Sequence, residues 1–308
     1  MNSDLSLKDK KILLTGGSGF FGSFILDELN KEEVSEIIVP RSSRHDLRNR
    51  DDVQDVMDGV DIVIHAAGIV SGIGGIQEIP AKIFYDNAIM GLHIMEEAKN
   101  FGIKKLVNIG TACSYPKFAP IPLKEKDLWA GYPEETKASY GIAKRLLVEG
   151  ARVYHHQYNL NVIPLIIFNL YGPRDNFDLA TSHVIPALIR KCLESNKLVV
   201  WGDGTPTRSF LYVKDAAKAV ILATKKYNKH YPVNIGTSEE TSIKNLVELI
   251  AELTGFNGEI IYDKTKPNGQ PRRCADVSLA KKEFNFEAKY SLKQGLKETI
   301  DWYKKNFN

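Results

Sequence analysis

Lys11-Ile-Leu-Leu-Thr15-Gly16-Gly-Ser18-Gly19-Phe20-Phe-Gly22 is the stretch that decides the fold. An apolar run of strand length passes straight into a glycine-rich turn, and Ser23-Phe-Ile-Leu-Asp-Glu-Leu29 continues it as a helix. Strand, glycine turn and helix in that order open a Rossmann unit. The glycines keep side chains away where a pyrophosphate must approach the backbone, and the helix that follows turns its free N–H groups toward that anion. The reading places a dinucleotide at Gly16, Ser18, Gly19, Phe20 and Gly22.

Working outward, the next strand is Ser35-Glu-Ile-Ile-Val39, and it runs into Pro40-Arg41-Ser-Ser-Arg44. An NAD site usually places a carboxylate here for the ribose 2′-hydroxyl, whereas arginine accommodates a 2′-phosphate. The first acid is only Asp46, so Arg41 points to NADP(H) as the cofactor. Asp46-Leu47 and Arg50-Asp-Asp-Val53 lead into the next helix. Val60-Asp-Ile-Val-Ile-His65-Ala66-Ala67-Gly68 is a buried strand ending in small residues, which let the backbone pass close to the cofactor at Ala66 and Ala67. His65 at a strand end is expected to be a structural hydrogen-bonding residue. Ser71-Gly72-Ile-Gly74-Gly75 reads as a flexible loop, followed by a helix from about Pro80 to Asn100.

The strand Lys105–Gly110 then delivers Thr111 and Cys113, and Tyr140-Gly-Ile-Ala-Lys144 follows. Tyrosine and lysine four residues apart project from one helix face, about a turn apart. An ammonium beside a phenol favours phenolate and is expected to lower its pKa from the ordinary ~10. A hydroxyl, a thiol, a phenol and an ammonium together are equipment for moving protons at a carbonyl group.

The second half continues with the helix to about Tyr158 and the strand Asn161–Phe168. Ser182-His183-Val-Ile-Pro-Ala-Leu-Ile-Arg-Lys191 reads as a helix, Leu198–Trp201 as a strand, and Phe210–Val213 as a strand passing into a helix capped by Asp215. Helix 242–254, strand 258–262 and a helix near 291–306 close the chain. Strands alternating with helices through the first half indicate an α/β fold, a doubly wound parallel Rossmann sheet. No Pro/Gly-rich linker separates two halves. The expected division is therefore a dinucleotide-binding domain, 1–170 plus about 208–235, and a smaller mixed α/β substrate-binding domain, 171–207 and 236–308.

Composition is that of an ordinary soluble globular protein, with 308 residues, 43% hydrophobic and 26% charged. A net charge of +3 is too small to argue for nucleic acid. Cys113, Cys192 and Cys274 are odd in number and not closely spaced, which argues against a disulfide framework or structural zinc. The polar start and the absence of a long apolar run make cytoplasmic placement the expectation, with no membrane partner and no metal.

The glycine spacing with Tyr140-x-x-x-Lys144 resembles the extended short-chain dehydrogenase/reductase family. Within it, Gly110-Thr-Ala-Cys113-Ser-Tyr-Pro116, Asn169–Asp178, Ser182–Lys191, Val200–Pro206 and Lys266–Arg272 resemble the GDP-L-fucose synthase group. These are 3,5-epimerase/4-reductases of GDP-4-keto-6-deoxymannose, and the matches run in order over nearly the whole chain. The resemblance implies that Tyr140 gives a proton to the C4 oxygen during hydride transfer and that Lys144 activates it and holds the ribose. Thr111 takes the place usually given to serine at the same carbonyl. Cys113 resembles the base at C3 and C5, and His183, also at the cofactor, the acid that returns the protons.

Elementary chemistry agrees with these roles. A proton beside a ketone is acidic only when the enolate oxygen is stabilised, and a thiol and an imidazole suit acid–base work near neutrality. Lys191, Trp201, Arg208 and Arg273 are the candidates for the nucleotide diphosphate and its base or sugar. The chain departs from the group at Ser71–Ile76, at Thr111, and in Glu134-Glu-Thr-Lys-Ala-Ser139, where an asparagine-containing run is usual. A GDP-linked 4-keto-6-deoxy sugar, or a related deoxysugar or heptose, is the expected substrate, and a homodimer is expected from the family. A nucleotide-sugar 4-epimerase, or a 4-reductase without epimerisation, uses the same tyrosine and lysine and is the alternative.

Overall fold

The computed structural model describes residues 4–70, 72–266 and 268–307. The chain begins β1 (Lys11–Thr15), α1 (Phe20–Leu29), β2 (Glu36–Ile38), α2 (Arg50–Met57), β3 (Ile62–His65), α3 (Ile73–Glu78), α4 (Pro80–Asn100) and β4 (Lys105–Thr111). It continues α5 (Ala138–Tyr158), β5 (Val162–Ile167), β6 (Leu170–Tyr171), α6 (Val184–Glu194), β7 (Lys197–Trp201), β8 (Thr207–Ser209) and β9 (Leu211–Tyr212). The last part is α7 (Val213–Lys226), β10 (Val233–Ile235), β11 (Glu240–Ser242), α8 (Ile243–Thr254), β12 (Glu259–Asp263), β13 (Arg272–Arg273), α9 (Ser278–Phe284) and α10 (Leu292–Phe307).

Six strands form one parallel sheet in the order β10-β5-β4-β3-β1-β2. β3 and β5 are buried at every position, as strands covered on both faces must be. On one face α1 and α7 pack through Phe24, Ile25, Val220 and Ala223. On the other, α2, α4 and α5 pack through Val53, Met57, Ile94 and Leu147. The doubly wound α/β reading of the sequence is the observed architecture. The strand order reverses between β1 and β3, and in such sheets the ligand crevice lies beyond the carboxyl ends of those strands.

Among the described residues the remaining strands make three small sheets. β11, β8 and β13 form one, β12 and β7 another, and β6 pairs with β9. β8 and β13 run parallel with Arg208 opposite Arg273.

Two local readings are corrected. Residues 73–75, part of the stretch 71–75 expected to be a loop, instead open α3 (Ile73–Glu78), and the N–H of Gly72 at its start donates to the Thr181 carbonyl. Ser71 and Pro267 lie outside the described residues. Asp215 does not cap α7; Tyr212 holds that position, and the buried Asp215 carboxylate accepts the N–H groups of Lys289 and Tyr290 at 2.8 Å each. Its hydrogen-bonding capacity serves the chain crossing to α10 rather than its own helix. Among the described residues no helix is long and apolar enough to cross a membrane.

Candidate active site

The glycine turn is tight for a stated reason. A Cβ on Gly16, whose φ is +71°, would sit 2.6 Å from the Ala67 nitrogen, and one on Gly22 would sit 2.0 Å from the Gly16 carbonyl oxygen. Gly19 caps α1 with extended backbone and no side-chain hydrogen bond, leaving the first-turn N–H groups of Phe20 and its neighbours facing outward. Ser18 is exposed beside them. This is a cradle for a pyrophosphate. Gly22→Ala is expected to force the turn apart at a cost of ~1–3 kcal/mol, as overpacking does. A lowered melting temperature together with weakened dinucleotide binding checks this; an unchanged titration would show the close approach is dispensable.

Arg41 and Arg44 are exposed just past β2, and neither joins an ion pair among the described residues. Asp46, the acid that could have served a 2′-hydroxyl, is instead held by Arg48, whose Nε and Nη2 donate to its carboxylate at 2.5 to 3.0 Å. The Arg48 hydrogen bonds hold the Asp46 carboxyl below its ordinary value. The donor set therefore fits a 2′-phosphate better than a bare ribose.

Beneath this crevice the Thr15 hydroxyl lies 2.8 Å from His65 Nδ1 and also accepts the Ala67 N–H at 3.3 Å. Burial, helped by the Lys144 charge, pushes the His65 imidazole down to about 3, so it is a neutral structural group that fixes the backbone at Ala66 and Ala67.

The carbonyl chemistry gathers at the end of β4. Thr111 Oγ1 accepts the Cys113 N–H at 3.2 Å, so its own proton remains to be donated elsewhere. The short turn carrying Cys113 packs on the first turns of α5, where Ser114 Oγ donates to the Gly141 carbonyl at 3.0 Å. Arg145 fastens the same turn, with Nε on the Ser114 carbonyl at 2.9 Å. Tyr140 and the half-buried Cys113 share an apolar nest with Ile76 and Ile83.

One electrostatic expectation is overturned. The Tyr140 phenol is not lowered by Lys144 but raised, first by burial and then by the negative charge available at Cys113. Lys144 Nζ donates to the Ala67 carbonyl at 3.4 Å, and burial brings its ammonium down to about 8. A pair one turn apart on a buried helix face is governed by desolvation before charge. Tyr140 is thus a neutral phenol, a proton donor rather than a phenolate.

Cys113 opens on a cavity of about 400 Å³, whose wall also includes Phe118, Glu134, Lys137, Gln270 and Arg273. Burial alone would push its thiol up, yet the charges of Arg273 and Lys137, with polar contacts to Thr111 and Arg273, bring it below the ordinary thiol value. Cys192 and Cys274 are buried and unpaired, and burial pushes both thiols up to about 11.

His183 caps α6 and lines a smaller pocket of about 60 Å³ with Asn169 and Phe210. The contact of Gly72 with Thr181 and Ser182 holds its approach, and burial followed by the Lys137 charge keeps its imidazole below the ordinary value. Arg208 stands beside Arg273 and is lowered by burial and by that neighbour, an arrangement that calls for an anion. Lys191 Nζ instead reaches the Val199 carbonyl at 3.4 Å, and the exposed Trp201 lies 5.8 Å from Lys266 Nζ; neither lines the larger cavity. Lys137 and Glu134 do line it and were not singled out from the sequence. Both lie in the run before Tyr140 that departs from the family pattern, but a departure alone does not tie them to the thiol.

Comparisons with known proteins point the same way. The sequence profile of the NAD dependent epimerase/dehydratase family matches residues 12–236. The chain is 37% identical to a GDP-L-fucose synthase of Sinorhizobium fredii, covering 97% of each. Among solved structures it is similar to a GDP-L-fucose synthetase of Naegleria fowleri bound to NADP, with TM-score 0.91, 28% identity, and 100% and 98% of the two chains covered. It is likewise similar to a GDP-6-OMe-4-keto-L-xylo-heptose reductase of C. jejuni, with TM-score 0.91, 26% identity, and 98% and 99% covered.

Proposed function

Because the chain belongs to the NAD dependent epimerase/dehydratase family, we propose that it is an NADPH-dependent 3,5-epimerase/4-reductase of a GDP-linked 4-keto-6-deoxy sugar, forming GDP-L-fucose or a close deoxysugar or heptose analogue. The observation that carries the reading is Cys113, held below its ordinary pKa beside Tyr140 on a cavity roomy enough for a sugar. A plain reductase needs the phenol but has no use for an activated thiol.

The cradle at Gly16, Ser18, Gly19, Phe20 and Gly22 takes the cofactor pyrophosphate, Arg41 its 2′-phosphate, and Ala66, Ala67 and Lys144 its ribose. When bound, the nicotinamide supplies the hydride to C4. Thr111 and Tyr140 donate hydrogen bonds to the C4 oxygen, which stabilises the enolate formed when the Cys113 thiolate removes a proton at C3 or C5. His183 returns a proton to the opposite face, so that the centre is inverted. Tyr140 then gives its proton to the C4 oxygen in the reductive step, and Lys144 stabilises the phenolate left behind. Arg208 and Arg273 meet the diphosphate, and Lys191 and Trp201, which lie outside the wall of the larger cavity, are assigned to the nucleotide end of the substrate.

In this reading residues 1–170 with about 208–235 form the cofactor half, and 171–207 with 236–308 the sugar half. The enzyme works in the cytoplasm as a homodimer. Phe84 and Tyr85 on α4 and Leu146 and Val153 on α5, all exposed, support that helical face as the interface. Turnover in heavy water tests the proposal directly. With NADPH and GDP-4-keto-6-deoxymannose, the product should carry solvent deuterium at C3 and C5 and be inverted at both. Reduction without deuterium at either carbon would leave only the 4-reductase reading.

A further inference from the structure

Lys137 is the unassigned group closest in consequence to the chemistry. It ends the single turn of 3-10 helix at Glu135–Lys137 and occupies the N-cap of α5, the helix that carries Tyr140 and Lys144. Its side chain forms part of the wall of the 400 Å³ cavity together with Cys113 from the end of β4 and Arg273 from β13. Two cations and one thiol thus come from three elements far apart in sequence and meet on one concave surface. Among the described residues neither Lys137 nor Arg273 joins an ion pair, although Glu134 lies on the same wall and the neighbouring Lys117 is taken by Glu135 at 2.9 Å. A half-buried cation without a carboxylate partner is costly unless an anion arrives or forms nearby.

We propose that Lys137 is the positioning residue of the proton-transfer half of the reaction: with Arg273 it flanks Cys113 across the cavity wall and holds the sulfur as the thiolate that removes the sugar proton. This rests on the epimerase/reductase reading above and specifies how that site is charged.

The charge logic is mutual. Lys137 is itself brought down by burial and by Arg273 and Arg208, and is held up by Cys113 and Glu134. Arg273, Lys137 and Thr111 act on the thiol and Tyr140 shares its apolar nest; of the other charged groups on the same wall, Lys117 and Arg272 are paired with Glu135 and Glu240, and Glu134 is the carboxylate. The same ammonium disfavours a charged imidazole at His183. Removing it should raise the pKa of both groups, moving the sulfur toward thiol and the imidazole toward imidazolium.

The test is the pH dependence of alkylation by iodoacetamide, read by mass spectrometry at the Cys113 peptide in the full-length protein. Cys192 and Cys274, with thiols up at about 11, serve as internal references that should stay slow. Lys137→Met is expected to move the Cys113 profile to higher pH by about one unit or more, the effect of losing a neighbouring opposite charge. Its rate near neutral pH should fall at least ~10-fold. Lys137→Arg should keep the wild-type profile, which a purely steric role would not predict, and Lys137→Gln replaces the methionine variant if that fails to fold. A profile unmoved in Lys137→Met or Lys137→Gln overturns the inference, even if deuterium incorporation proves the epimerase reading right. A shifted profile in an enzyme that incorporates no deuterium leaves the charged site standing and removes its assignment to epimerisation.

Discussion

Cys113→Ser should abolish deuterium incorporation at C3 and C5, by ~10²–10⁴-fold, the range a positioned general base contributes. The substitution is nearly isosteric, and the backbone N–H of Cys113 still finds Thr111 Oγ1, so the turn it sits in should survive. What changes is acidity. A thiol flanked by Arg273 and Lys137 ionises readily, whereas an alcohol in the same place does not. Dinucleotide binding should be untouched, because the cradle from Gly16 to Gly22 lies at the ends of β1 and α1. Exchange measured by mass spectrometry on recovered 4-keto sugar separates the possibilities. Wild-type exchange in the serine variant would remove Cys113 from the mechanism.

Tyr140→Phe acts on the other half. Loss of the phenolic proton donor should slow NADPH oxidation by ~10²–10⁴-fold. Exchange at C3 and C5 should fall less, because the Thr111 hydroxyl still reaches the same oxygen. Deuterated but unreduced sugar should therefore accumulate. Equal losses in exchange and reduction would mean that Tyr140 serves only to stabilise the enolate. The alkaline side of the pH profile adds a check. Burial keeps the phenol above its ordinary value, while Lys144 lies at about 8. A decline in reduction as pH rises through that point reports loss of the lysine charge, not ionisation of Tyr140.

The parallel sheet was readable from residues 11–22 and from the apolar runs that became β3 and β5, because fully buried strands and a glycine turn leave strong local signals. Helix α4 begins at Pro80, as proline at a first helical turn suggests. The short elements were less legible. α3 hides behind Gly72, Gly74 and Gly75, whose helix propensity is poor, and it forms by packing rather than by preference. Asp215 resembled a cap, but its partners lie far along the chain at Lys289 and Tyr290, beyond any local rule.

The chemistry divided in the same way. Thr111, Cys113, Tyr140 and Lys144 come from one stretch and could be read as a unit. The state of Tyr140 could not, since desolvation depends on what covers it. Arg208 and Arg273 were found separately, and only strand pairing put them side by side. Lys137 went unread because no spacing rule connects a residue before α5 with a thiol after β4.

The closing of the cavity wall by β13 bears on how the protein is made. Arg273 pairs into the small sheet through Arg208 and comes from the last part of the chain, long after Cys113 in order of synthesis. Domains fold in step with emergence from the ribosome, N-terminal portions first. The dinucleotide crevice can thus assemble while the thiol still has one of its two cations missing. Until β13 docks, Cys113 remains closer to an ordinary thiol, less reactive toward oxidants and electrophiles.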